Sequence, residues 1–155
     1  MHLAATLTIR RWDVATGDAE SPHGAYAERF WLPVIGPSAL WLLRWANSEL
    51  TARGGAFDIG ADELSIRLGL GAGTARQSPL RRSLKRLETF QLARRLNESV
   101  AEFRPGLAPL SLRQLSRLPV ELRREHRAWL AQQAGLPATA RSSDCLSNSR
   151  RCAPG

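Results

Sequence analysis

The sequence predicts a mainly α domain carrying one small β-hairpin. Three observations lead there. Apolar residues recur at helical spacing, most clearly in PSALWLLRWANSELTAR (37–53), where Ala39, Leu42, Leu43, Ala46 and Leu50 form one stripe. Proline stands where helices can begin, Pro37 after Gly36 and Pro79 after Ser78; its missing N–H would be unpaired at a first helical position anyway. Long alternating strands are lacking, and two short extended runs, LARRL and VAEFR, flank the turn residues Asn97, Glu98 and Ser99.

Taken in order, LAATLTIRRWDV near the N-terminus could be a strand, and TGDAESPHG after it has the composition of a polar linker. AYAERFWLPVIGP brings Tyr26, Phe30, Trp31, Val34 and Ile35 as an apolar lead-in that packs on the first helix. That helix, over 37–53, carries Trp41 and Trp45 as a second strip four residues apart, which marks it as buried on more than one side. Gly54-Gly55 ends it, and AFDI follows as one small strand. GADELSIRLGLG is a short helix with Asp62 and Glu63 in its first turn, where the helix dipole favours carboxylates, and Gly69 at its end. After the connector GLGAGTARQ, Ser78 caps a helix that Pro79 opens. The hairpin comes next. Ser111 caps a brief helix in LRQLSRL, and PVELRREHRAWLAQQAG is a last one, with Leu122, His126, Trp129 and Leu130 on one face. The chain thus divides into an arm over 1–24, a domain over 25–107, a helical extension over 108–135 and a disordered tail over 136–155.

Composition narrows the function classes. A chain of 155 residues, 43% apolar, can bury a core. Its 22 Lys and Arg against 14 Asp and Glu leave +8, a balance that favours a polyanionic partner. Lys85 is the one lysine; arginine's planar fork suits phosphate, although an Arg- and Ala-rich chain equally reflects base composition. Cys145 and Cys152 have neither zinc-ligand spacing nor a disulfide framework and read as free thiols of a reducing cytoplasm. No run reaches membrane-spanning length and the N-terminus lacks a signal peptide's pattern, so a soluble cytoplasmic protein is expected.

The stretch SPLRRSLKRLETF (78–90) carries the functional expectation. At 100° per residue, Leu80, Leu84, Leu87 and Phe90 share one face, while Arg81, Arg82, Lys85, Arg86 and Thr89 share the other, with Glu88 at the border. From Arg76 to Arg95 there are seven bases and one acid, so this stretch holds +6 of the chain's +8. A solvated face usually mixes signs, as ELRREHR at 121–127 does. A membrane-surface helix needs a large free apolar face, and the four apolar residues here are claimed by the core.

The order of elements from Pro37 to Arg104 resembles a winged helix-turn-helix domain with an extra C-terminal helix. DELSIRLGL is similar to that family's positioning helix, and SPLRRSLKRLETFQLARR to its recognition helix running into the wing. The connector between the two is longer than the usual tight turn. Gln91 stands where such proteins often place glycine; left-handed backbone there would cost glutamine roughly 1 kcal/mol. The resemblance implies binding of double-stranded DNA, sequence-specific or general, by a transcriptional regulator. The helix over 78–90 would lie in the major groove, where Arg or Lys can bond the guanine edge, with a basic wing over 92–104 on the backbone. The expected DNA-binding residues are Arg76, Gln77, Ser78, Arg81, Arg82, Lys85, Arg86, Thr89, Arg94 and Arg95. The competing class is a protein-interaction or assembly module, with Trp41, Trp45 and Trp129 lining a homodimer or partner surface.

Signals of catalysis are weak. GLGAG at 69–73 lacks the GxGxxG spacing and no Gly-Lys-Ser/Thr follows. His126 has no second ligand at metal spacing, and Glu121 and Glu125 sit among Arg123, Arg124 and Arg127 as a solvated ion-pair face. No serine lies in a nucleophile elbow. The expectation is a non-enzyme without cofactor, metal or small-molecule ligand.

Overall fold

The computed structural model describes residues 3–15, 17, 19–71 and 77–135. The expected disordered tail at 136–155, with Cys145 and Cys152, lies outside them, as do Arg76 and the preceding four residues of the connector. Two compact units form, Met1–Pro119 and Val120–Gly155.

The first unit corrects the expected fold class. In place of a mainly α winged helix-turn-helix domain with a small hairpin, it builds a four-stranded mixed sheet in the order β2-β1-β4-β3. Strand β1, Thr6–Arg11, comes from the stretch expected to be an arm. It pairs antiparallel with β2, Ala56–Gly60, so that Leu7 faces Ile59 and Ile9 faces Phe57. On its other edge it runs parallel to β4, Val100–Phe103, with Ile9 opposite Ala101. The last strand, β3 (Ala93–Arg95), joins β4 antiparallel, Ala93 opposite Phe103. The reason for the miss is physical. Parallel pairing needs a long crossover, and here that crossover is most of the domain, so no local pattern announces it. What local pattern there is fits: Leu7 and Ile9 are buried while their neighbours Thr6 and Arg10 are exposed, as a strand with one covered face requires.

The expected hairpin between β3 and β4 is present. Asn97 organises its turn: the side-chain oxygen accepts from Ser99 N–H at 2.8 Å, Ser99 Oγ at 2.9 Å and Val100 N–H at 2.8 Å. Asparagine suits this position because its short amide can stand in for a backbone acceptor.

The lead-in to the first helix is itself helical, which the apolar run alone did not reveal. A π-helical stretch, Ala27–Trp31, runs into α1, Leu32–Ile35. It places Tyr26 and Phe30 with ring centroids 5.2 Å apart and buries Trp31, whose indole N–H donates to the Ala108 carbonyl at 3.1 Å. Leu110 N–H donates to the Tyr26 hydroxyl at 2.9 Å, and burial pushes that phenol's pKa up. Helix α2, Pro37–Ala52, then buries Leu40, Asn47 and the whole stripe from Ala39 to Leu50. Its two tryptophans part company. Trp45 meets Phe57 edge-on at 5.8 Å, whereas Trp41 stays 53% exposed.

Helix α3, Ala61–Arg67, and helix α4, Pro79–Thr89, end in the same hydrogen-bonded turn. After α3, Gly69 N–H donates to Ile66 O and Leu70 N–H to Ser65 O, both at 2.9 Å. After α4, Gln91 N–H donates to Glu88 O at 3.0 Å and Leu92 N–H to Leu87 O at 2.9 Å. This pair of bonds needs one residue in left-handed backbone. Gly69 has φ 69° and Gln91 has φ 57°. The first is free of strain and the second is not. Gln91→Gly is therefore expected to raise the unfolding free energy by about 1 kcal/mol, less the entropy a glycine adds to the unfolded chain; an unchanged or lower urea midpoint would contradict this.

Helix α5, Leu112–Leu115, carries the expected Ser111 cap, completed by Gln114 reaching back to the Ser111 N–H. The second unit holds helix α6, Val120–Gly135, in which His126 is buried and its imidazole pKa is lowered by that burial.

Candidate nucleic-acid interface

Helix α4 is seated by its apolar face. Leu80 and Leu87 are fully buried and Leu84 nearly so, the helix packs on α2, and Phe90 meets Trp31 edge-on at 6.4 Å. Ser78 caps the N-terminus, its hydroxyl accepting from Arg81 N–H at 3.4 Å. That anchoring turns the opposite face outward.

The structure sorts the expected contact residues into three groups. Gln77, Arg82, Lys85 and Thr89 are exposed; Thr89 Oγ also donates to the Lys85 carbonyl at 2.9 Å. The side chains of Arg82 and Lys85 make no hydrogen bond or ion pair among the described residues. Ser78 is buried in its capping role, and Arg81 is half-buried and engaged within the protein. Arg86 donates from its guanidinium to the Val34 carbonyl at 2.9 Å, tying α4 to α1.

The two arginines of the hairpin are committed to carboxylates. Arg95 holds Glu88 through both ends of its fork, at 2.6 Å and 3.3 Å, with side chains only 15% and 18% exposed. Arg94 bonds Glu102 at 2.7 Å. The surplus counted along the sequence is thus partly cancelled in space: Glu102 lies outside the basic stretch in sequence and beside it in the fold.

Two residues that the sequence reading passed over join this surface. Trp12 follows β1, its backbone N–H donating to Phe103 O at 2.8 Å, and Arg104 follows β4. The guanidiniums of Arg94 and Arg104 each stand 4.6 Å from the Trp12 ring. A ring's negative face attracts a cation most when water is excluded. Arg104 is positioned by its backbone, its N–H donating to Leu92 O at 2.9 Å and its carbonyl accepting from the buried Asn47 side chain at 3.0 Å. Between α4, β3 and these two residues lies a cavity of about 540 Å³, lined by Trp12, Lys85, Gln91, Arg94 and Arg104 and by the Glu88–Arg95 pair. The signal that could have found it is parity: Trp12 is two residues beyond Arg10, and Arg104 two beyond Glu102, and Arg10 and Glu102 are neighbours in the sheet.

No family model, no curated protein and no solved structure matches this chain. Among the described residues no cluster of His, Cys, Asp and Glu could hold a metal ion, and no helix is long and apolar enough to cross a membrane.

Proposed function

We infer that the protein binds double-stranded DNA through the outward face of α4, acting as a transcriptional regulator. The observation that carries this reading is Arg82 and Lys85, exposed and without counter-charge among the described residues, on a helix whose other side is locked in the core. An α-helix fits the major groove of B-DNA, and two cations three residues apart on it can reach guanine edges or flanking phosphates. Gln77 and Thr89 extend the same face with hydrogen-bonding groups. Arg86, Arg94 and Arg95 support the surface rather than read from it, since each already has a protein partner.

The test is a titration of duplex DNA at two or more salt concentrations, with wild type and the Arg82→Ala/Lys85→Ala variant. Each lost phosphate contact is expected to lower the slope of log K against log salt by about one unit, and each lost base contact to weaken binding by roughly 1–3 kcal/mol with relaxed specificity. An affinity and a salt slope both equal to wild type would remove α4 as the DNA-binding element.

A second reading rests on Trp41, half-exposed on α2, as part of a homodimer or partner surface. Light scattering across a concentration series addresses it; a monomer at every concentration removes the self-association form.

A further inference from the structure

The cavity beside α4 has a charge pattern that its own residues leave incomplete. Four cations line it, Lys85, Arg94, Arg95 and Arg104. Glu88 answers Arg95 and Glu102 answers Arg94, which leaves Lys85 and Arg104 without an anion among the described residues. Arg104 is the more telling of the two. Its Nε is shielded from solvent and has no hydrogen-bond partner, an arrangement that native proteins mostly avoid. Guanidinium nitrogens donate and never accept, so that N–H calls for an acceptor oxygen. Meanwhile the Trp12 ring holds Arg104 and Arg94 together despite their like charge.

We propose that this cavity is a phosphate-binding site in which Arg104 and Lys85, with Arg94 beside them, hold the oxygens of a phosphate group carried by a larger molecule. The cations approach from separate elements: Lys85 from α4, Arg94 from β3 and Arg104 from the chain leaving β4. A planar carboxylate is satisfied by a single fork, whereas a tetrahedral phosphate offers oxygens in several directions at once. The volume, about 540 Å³, exceeds what an isolated phosphate fills and leaves room for the ester that bears it. Two sources share this chemistry, the backbone of bound DNA and a free phosphomonoester such as a nucleotide. The first rests on the DNA-binding reading given for α4; the second does not.

The experiment compares wild type with Arg104→Gln, which keeps hydrogen-bonding capacity but removes the charge, and with Arg113→Ala, an exposed arginine of α5 that lies outside both the cavity and the outward face of α4. Thermal melting is recorded in inorganic phosphate, in a nucleoside monophosphate and in acetate at equal ionic strength, and duplex DNA is titrated across salt. Phosphate and nucleotide, but not acetate, are expected to raise the melting temperature of wild type and of Arg113→Ala, and to lose that effect in Arg104→Gln. A salt slope about one unit lower in Arg104→Gln identifies the source as the DNA backbone; a slope equal to wild type, with the melting response lost, identifies a free phosphomonoester. If wild type binds no DNA at all yet responds to nucleotide through Arg104, the reading of α4 falls and the phosphate site stands. Melting temperatures and salt slopes indistinguishable between wild type and Arg104→Gln would overturn the site.

Discussion

Leu84→Ala is expected to lower the unfolding free energy by roughly 2–5 kcal/mol, with the higher part of that range favoured where the site cannot collapse. Leu84 is 2% exposed on the inner face of α4, between Leu80 and Leu87, which are both fully buried. Removing three carbons there leaves a cavity under the helix that carries the candidate interface. Urea denaturation should show a lower midpoint with an unchanged slope, the signature of lost stability without a change in the surface exposed on unfolding. Below the transition the folded fraction should match wild type in the duplex-DNA titration proposed above, because no outward residue has changed. A midpoint within error of wild type would mean that α4 is not seated by this stripe.

The second large effect is expected at the ion pair between Arg95 and Glu88. With both side chains mostly buried, removing the arginine strands a carboxylate away from water. Arg95→Ala should therefore cost about 3 kcal/mol, the low end for a fully buried pair because both groups keep some exposure. Arg95→Met/Glu88→Leu, which removes both charges and keeps apolar bulk, should recover most of the loss. The outcome that contradicts this is a double variant as unstable as Arg95→Ala, which would place the cost in packing rather than in an orphaned charge. The pair links the end of α4 to β3, so the single variant should also loosen the wall of the phosphate cavity.

These two sites show where the sequence was readable and where it was not. The start of α4 was legible because a capping serine followed by proline is a local signal, and the apolar stripe because 3.6-residue periodicity is one too. Asn97 and Ser111 belong to the same class; each acts on residues within three positions of itself. Gln91 could be read as a strained position for a similar reason. The sheet could not be read, because β1 meets β4 across most of the domain and nothing in TLTIRR specifies a distant parallel partner. The basic stretch was over-counted for a related reason. Glu102 and Val34 neutralise or tether its arginines from elsewhere in the chain, and only the fold brings them there. Trp12 and Arg104 were missed because their meeting depends on that same strand pairing.

The placement of β1 also sets the order in which the molecule can be assembled. Within the sheet of the described residues it alone pairs with both β2 and the β3–β4 hairpin, yet its partner β4 is the last strand to leave the ribosome. During synthesis β1 can zip onto β2 once residue 60 has emerged, but its second edge stays open until residue 103 has followed. An open strand edge is a template for unwanted pairing. The helices α2, α3 and α4, made in the interval, can collapse early through their local contacts, while closure of the sheet carries the large loop entropy that slows non-local topologies. The nascent chain is thus expected to pass through a helical, half-paired state with β1's edge exposed, and arrest of translation before residue 100 should trap it there, sensitive to protease at the N-terminus and prone to associate through that strand.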